Sequence, residues 1–398
     1  MRALKAALPG HLPMLAELIA IPTVSAADPR LDQPNRPALE RLAEWAESIG
    51  FEVHLQPSPD GPGCAHAGGK ANLIATLGPS EGIDAGLLLS GHADTVPYDE
   101  GAWSSDPFEL VEREGKLYGL GAADMKGFFV AGLHAASRFR AETLSAPLIL
   151  VATADEESSM AGARALLEAG RPRATRAIIG EPTGLRPVHV HKGILMERLR
   201  VVGRSGHSSD PSLGASALEG MAAVIHALLD YRNELQAIYR DSRFAVPTPT
   251  MNFGRIRGGD SANRICGMCE LDLDLRALPQ MPIEEVREEL RRRAREALAG
   301  RGLTLELPSI ALEVPAFATP DDAELVRVCE EMTGVRSRAV PFCTEGPFLQ
   351  ALGMETLILG PGDIEVAHQP DEHLPRAALA EAEALYARLI HRFCVAPD

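Results

Sequence analysis

Positive charge is scarce in this 398-residue chain: 39 Lys and Arg stand against 55 Asp and Glu, a formal net charge of −16. An acidic surface repels a nucleic-acid backbone and an anionic membrane, so neither is expected as a partner. A small charged substrate stays open, because a local pocket can oppose the global field. Long hydrophobic runs are missing as well. Neither a membrane helix nor a signal-peptide core follows Met1-Arg2-Ala3-Leu4-Lys5, whereas Leu12, Leu15, Ala16 and Ile19 suit one face of an amphipathic helix. The expected compartment is the cytoplasm. Cysteine is sparse: Cys64, Cys266, Cys269, Cys329, Cys343 and Cys394 form no dense framework, and reduced thiols fit that compartment. Cys266 and Cys269 make a Cys-x-x-Cys without a second pair at zinc-ribbon spacing, inside a strand-like run, which argues against a metal or redox role. Internal repeats and low-complexity segments are absent too.

What is present reads as a soluble globular enzyme, with 45% hydrophobic and 24% charged residues. The length exceeds one ordinary core, so two domains are expected. Up to about residue 190, helical segments (37–49, 127–139, 161–169) alternate with apolar strand-like runs (51–55, 72–77, 87–89, 148–153, 177–180). Runs apolar on both faces, alternating with helices, predict an α/β fold with a mixed, mostly parallel sheet covered on both sides. The pattern then changes to strand 196–202, helix 215–235, strands 250–256 and 265–275, helix 283–298 and strand 303–307. That β-α-β-β-α-β order is the ferredoxin-like split pattern and suits an inserted domain. The expected division is a catalytic domain of residues 1–190 and 308–398 around an insert of residues 191–307.

Chemistry-bearing residues gather at turns. His92 and Asp94 follow the run Leu87-Leu88-Leu89, and their spacing of two puts both on one side of an extended segment. A metal-bound imidazole needs a partner for its second nitrogen, and a carboxylate serves. Asp124 sits in the glycine-rich turn Gly119-Leu120-Gly121-Ala122-Ala123-Asp124 before a helix; taken alone, it reads as a helix cap. Asp155-Glu156-Glu157 is launched from the strand 148–153, and three adjacent acids require a counter-charge, solvent or a metal. Glu181 follows the strand 177–180, and His368 closes the segment after the strand 356–359. Open α/β sheets bind ligands outside the carboxyl ends of their strands. Two His and three carboxylates converging there suit a site for two cations with mixed N/O ligands.

These segments resemble the M20 family of metallopeptidases and amidohydrolases, and within it the branch that deacetylates acetylornithine. The resemblance rests on Gly91-His92-Ala93-Asp94-Thr95-Val96-Pro97, Ala123-Asp124-Met125-Lys126-Gly127, Ala154-Asp155-Glu156-Glu157, Gly180-Glu181-Pro182-Thr183, Ser205-Gly206-His207-Ser208-Ser209 and Ala367-His368-Gln369-Pro370-Asp371-Glu372, all in the family's order. Branch-level signals are Asn263-Arg264-Ile265-Cys266 and Cys343-Thr344-Glu345-Gly346-Pro347-Phe348, the latter with Gly346 where Ala is expected. The resemblance implies two divalent metal ions, zinc first with cobalt or manganese as substitutes. It implies Asp124 as bridging ligand, His92 and Glu181 completing one site, and Glu157 and His368 the other. Glu156 takes the general acid/base role and Asp94 supports His92. The insert becomes a lid and homodimerisation domain, with His207 for the oxyanion and Asn263 and Arg276 for a substrate carboxylate. The implied partner is an acylated amino acid, N2-acetylornithine first, with acetylcitrulline, a succinyl-diaminopimelate-type substrate, a dipeptide or a non-catalytic assembly role as alternatives. Glu345 is a separate expectation: a pocket carboxylate that reads the substrate's δ-ammonium.

Overall fold

The computed structural model describes residues 7–58, 69–79, 85–308 and 313–396, so Met1-Arg2-Ala3-Leu4-Lys5 and Cys64, considered above, lie outside the described residues. Six neighbouring strands of a nine-stranded sheet carry the clustered polar residues: β1 (Glu52–Pro57), β2 (Ala71–Leu77), β3 (Leu87–His92), β4 (Leu148–Thr153), β5 (Arg176–Pro182) and β6 (Glu355–Gly360). Their spatial order is β1-β2-β4-β3-β5-β6. Every residue of β3 and β4 is buried, as expected for strands covered on both faces. The β4/β3, β3/β5 and β5/β6 pairs are parallel, while β1/β2 and β2/β4 are antiparallel. Parallel pairing is thus confined to the middle of a mixed sheet. Apolar runs specify burial on two faces but carry no information about strand direction, which is why the flank was not legible.

The sheet belongs to one of two compact units, formed by Met1–His189, Thr319–Arg338 and Thr344–Asp398. Helices α1 (His11–Ile19), α2 (Arg36–Ile49), α3 (Gly127–Ala136), α4 (Ala161–Ala169), α5 (Glu324–Thr333), α6 (Gly346–Ala351) and α7 (Arg376–Cys394) also lie in it. α2 stops at Gly50, whose φ of 105° lets the chain take the left-handed cap that a side chain resists. α3 presents Phe128, Phe129, Val130 and Leu133 to the core and packs on α7. β5 and β6 approach so closely that a Cβ on Gly360 would lie 1.9 Å from the Gly180 carbonyl oxygen. Backbone cannot swing aside as a side chain can. Gly360→Ala is therefore expected to cost about 1–3 kcal/mol, read as a lower urea midpoint; an unchanged midpoint would contradict the close approach.

The second unit comprises Val190–Ala318 and Ala339–Cys343. Its strands Gly193–Val202, Thr250–Gly258, Met268–Ala277 and Thr304–Glu306 alternate with helices Ala217–Ile238 and Ile283–Ala297. All pair antiparallel, with Met268–Ala277 and Gly193–Val202 in the middle. Numbered within the unit, the order is 4-1-3-2, that of the split β-α-β pattern. Leu195, Leu199, Val224, Leu271, Leu273 and Leu290 are among its core residues. Helix Ala217–Ile238 begins where the Ser216 side chain accepts the Glu219 N–H. Cys266 lies before the strand and donates to the Met268 carbonyl, and Cys266 and Cys269 are both free thiols. Among the described residues, no helix is long and apolar enough to cross a membrane.

Candidate metal centre

β3, β4, β5 and β6 run in one direction and end at one edge of the sheet, so their exits deliver side chains to a common place. β3 ends at His92, β4 leads into Asp155-Glu156-Glu157, Glu181 is the penultimate residue of β5, and His368 follows the loop after β6. Asp124 arrives from the turn before α3, entered through Gly121 at φ 80°. The Glu372 carboxylate shapes that turn by accepting the N–H groups of Gly121, Ala123 and Asp124 at 3.0, 2.8 and 3.0 Å.

Asp124 divides its two oxygens between two imidazoles. Oδ1 lies 3.0 Å from His92 Nε2 and Oδ2 lies 3.4 Å from His368 Nε2. On the first side Glu181 Oε1 is 3.7 Å from His92 Nε2; on the second, Glu157 Oε1 is 3.0 Å from His368 Nε2. His92, Asp124 and Glu157 hold donor atoms within 4.8 Å of one another, and so do His92, Glu156 and Glu181. These residues could hold divalent cations. The donor set fits such ions: imidazole nitrogen and carboxylate oxygen suit zinc and neighbouring divalent metals.

The electrostatics favour the same filling. Burial pushes the carboxyls of Glu156 and Glu181 well above the usual range, and neighbouring acids push further. Burial also opposes charge on His92, but its hydrogen bond to Asp124 and the nearby carboxylates outweigh this and raise its pKa well above 6.5. His368 rises to about 11, chiefly through hydrogen bonds to Asp124 and Glu157. Burial opposes ionisation of Asp124, yet the hydrogen bonds from His368 and His92 hold it below the ordinary carboxylate value. Buried acids in this number need compensating positive charge.

Asp94 supports His92 by a different atom from the one its spacing suggested. The Asp94 main-chain carbonyl lies 2.9 Å from His92 Nδ1, while its carboxylate Oδ1 is 3.9 Å away. Oδ2 instead accepts the Glu157 N–H at 3.1 Å, and Oδ1 has no hydrogen-bond partner among the described residues. Burial pushes the Asp94 carboxyl up to about 7. Glu345 is held by hydroxyls of the neighbouring strands. It is 1% exposed and accepts the Ser90 hydroxyl at one oxygen and the Thr153 hydroxyl at the other, 2.8 Å away. That arrangement braces β3 against β4.

His207, Asn263 and Arg276 belong to the second unit. His207 is exposed with Nδ1 2.7 Å from Ser209 Oγ, Asn263 accepts the Ser261 hydroxyl, and Arg276 donates to Asp274 at 3.0 Å. Two residues escaped the sequence reading. Glu372 stands at the end of a recognised motif without a predicted task, and Lys70 is buried beneath the acidic turn. The unsatisfied need of three adjacent acids for a counter-charge was the one available signal for Lys70. His11, His134 and Glu383 also bring donor atoms together, but there the Arg138 guanidinium already faces the Glu383 carboxylate.

The sequence pattern of peptidase family M20/M25/M40 matches residues 88–392. The acetylornithine deacetylase of Proteus mirabilis (strain HI4320) is 45% identical over 389 residues, covering 98% of this chain and 98% of its own. That of Pasteurella multocida (strain Pm70) is 45% identical over 387 residues, with 97% and 99% covered. Among solved structures, a tripeptidase from Staphylococcus aureus superimposes with a TM-score of 0.74 at 21% identity, covering 96% of this chain and 98% of its own. An M20 family metallo-carboxypeptidase from Sulfolobus solfataricus gives 0.74 at 18% identity, with 96% and 99% covered. At such identities the structural likeness speaks for the fold alone.

Proposed function

The chain belongs to peptidase family M20/M25/M40, and from that premise we propose that it is a metal-dependent amidohydrolase that converts N2-acetyl-L-ornithine and water into L-ornithine and acetate. The observation that carries the hydrolytic reading is Asp124, whose two oxygens face His92 on one side and His368 on the other. The choice of substrate is supported by the acetylornithine deacetylases that match at 45% identity over nearly the whole chain. In this reading His92, Glu181 and Asp124 hold one cation and His368, Glu157 and Asp124 the other. Zinc suits the ligands best, and cobalt or manganese can replace it.

When bound, two divalent ions lower the pKa of a water toward neutrality and draw electron density from the substrate carbonyl. The rest falls to side chains. Glu156 lies within 4.8 Å of the donor atoms of His92 and Glu181, where it takes a proton from the attacking water. The remaining hydroxyl oxygen bonds to the acetyl carbon, and the carbon–nitrogen bond then breaks. Glu156 returns the proton to the departing amine, which leaves poorly without it. His207 is assigned to the developing oxyanion, and Asn263 and Arg276 to the substrate carboxylate, which a guanidinium can grip at two points.

We also assign the chain to a homodimer formed through the second unit. Supporting this, strand Thr250–Gly258 is an edge strand with its distal half exposed, and Leu218, Ile256 and Met268 are exposed in the same unit. A cytoplasmic location accords with the free thiols of Cys266 and Cys269. The deciding experiment measures metal content alongside acetate release from acetylornithine, acetylcitrulline, succinyl-diaminopimelate and a dipeptide. Two metal equivalents and preferential turnover of acetylornithine are expected, with activity abolished by a chelator and restored by zinc or cobalt. Preference for the dipeptide, or full activity in metal-free protein, would overturn the reading.

A further inference from the structure

The turn that carries Glu156 and Glu157 is held from below by a buried ion pair. Asp155, their neighbour, adopts a left-handed conformation with φ 55°, which is uncommon for a residue with a side chain although Asp enters it more readily than most. Its carboxylate Oδ1 accepts the Lys70 ammonium at 2.6 Å and the Ser25 hydroxyl at 2.8 Å. Its carbonyl accepts the N–H groups of Ser159 and Met160 at 3.0 and 2.7 Å. Lys70 is 1% exposed and also donates to Asp32 at 2.8 Å. Two residues further along, the Asn72 side chain accepts the Ala154 N–H at 3.1 Å and donates to the Gly162 carbonyl at 2.9 Å. In an extended chain residues 70 and 72 point the same way. Because β2 pairs with β4, the chain entering β2 delivers an ammonium and an amide beneath one turn.

We infer that Lys70 and Asp155 are positioning residues for the hydrolysis, a buried ion pair that fixes where Glu156 and Glu157 stand. The inference rests on the proposed reaction and adds to it a part that neither binds metal nor touches substrate. A buried ammonium is expensive to desolvate, and an apolar side chain would fill the same core more cheaply. Its placement gains meaning from what it grips. Without Lys70, the Asp155 carboxylate loses its charge partner, the left-handed residue is no longer held, and the next two residues shift with it. Asp94 holds the Glu157 N–H from the other side, so relaxation at Asp155 changes the spacing between the turn and β3.

The test uses Lys70→Met, Asp155→Asn and the double variant in the full-length protein. With saturating metal, kcat for acetylornithine is expected to fall about 10²-fold, the scale of a 1 Å misplacement, with KM little changed. The double variant should be no worse than the poorer single one, because both break the same pair. Cobalt titration of the metal-free protein should show one of two sites weakened about tenfold, as when an outer ligand partner is lost. A purely structural lysine predicts otherwise: a lower melting temperature, with kcat per folded, metal-loaded molecule and both cobalt affinities at wild-type values. That result would overturn the inference. If Lys70→Met does not fold, Ser25→Ala removes one hydrogen bond from the same carboxylate and should still lower kcat severalfold; wild-type kcat there also counts against the pair. A wild-type protein inactive on acetylornithine would sink the reaction assignment alone, since the cobalt titration still decides the role of Lys70.

Discussion

Glu156→Gln is expected to lower kcat by about 10³-fold or more while both metal equivalents stay bound, since positioned general acid–base groups contribute on that scale. The substitution keeps the size of the side chain, exchanges one acceptor oxygen for an NH2 donor and removes the ability to take and return a proton. Both halves of the reaction need that transfer: water must lose a proton to attack, and the amine must gain one to leave. Burial favours proton uptake at this carboxyl, raising it well above its ordinary value. The measurement pairs turnover of acetylornithine with metal content of the same sample. Because Glu156 also lies within reach of the His92 and Glu181 donor atoms, metal content separates its two conceivable tasks. Loss of one equivalent in the Gln variant would make Glu156 a ligand, and retained turnover would remove it from the mechanism.

Asp124→Ala should have the broadest effect. One side chain faces both imidazoles, so its loss weakens both cation positions together. Metal content is expected to fall below about one equivalent per chain at micromolar metal, and kcat/KM by about 10³–10⁴-fold, the several kcal/mol that a two-metal site supplies. The local fold should persist. Glu372 holds the turn through the backbone N–H groups of Gly121, Ala123 and residue 124, and Ala leaves all three in place. Unchanged circular dichroism with lost metal would therefore assign the defect to the carboxylate. Two equivalents retained in Asp124→Ala would refute the bridging assignment.

Much of the site was legible because its parts share a grammar. His92, Glu157 and Glu181 each stand at or just beyond the end of an apolar strand, and parallel strands must deliver such residues to one edge. Other parts were not legible, for identifiable reasons. Spacing put the Asp94 side chain beside His92, but the main-chain carbonyl of the same residue, present in any amino acid, took the imidazole nitrogen. Glu345 reads as a pocket charge, and its hydrogen bonds from the hydroxyls of Ser90 and Thr153, distant in sequence, could not be read there. A lysine at the start of a strand reads as a solvated residue, and only the burial of Lys70 between Asp32 and Asp155 shows otherwise.

The sequence alone determined the class of protein: an α/β chain with a split β-α-β insert, an acidic surface and a run of His and carboxylate residues at strand ends in a recognisable family order. Those properties are local, set by periodicity, composition and residue type, and they survive without knowledge of what packs against what. Tertiary structure decided strand direction at the sheet's flank, the division of Asp124 between two imidazoles, the shaping of its turn by Glu372 and the counter-charge from Lys70. Each depends on residues tens to hundreds of positions apart meeting in a water-excluded place, where hydrogen bonds and charges that would be weak in solvent become the forces that set geometry.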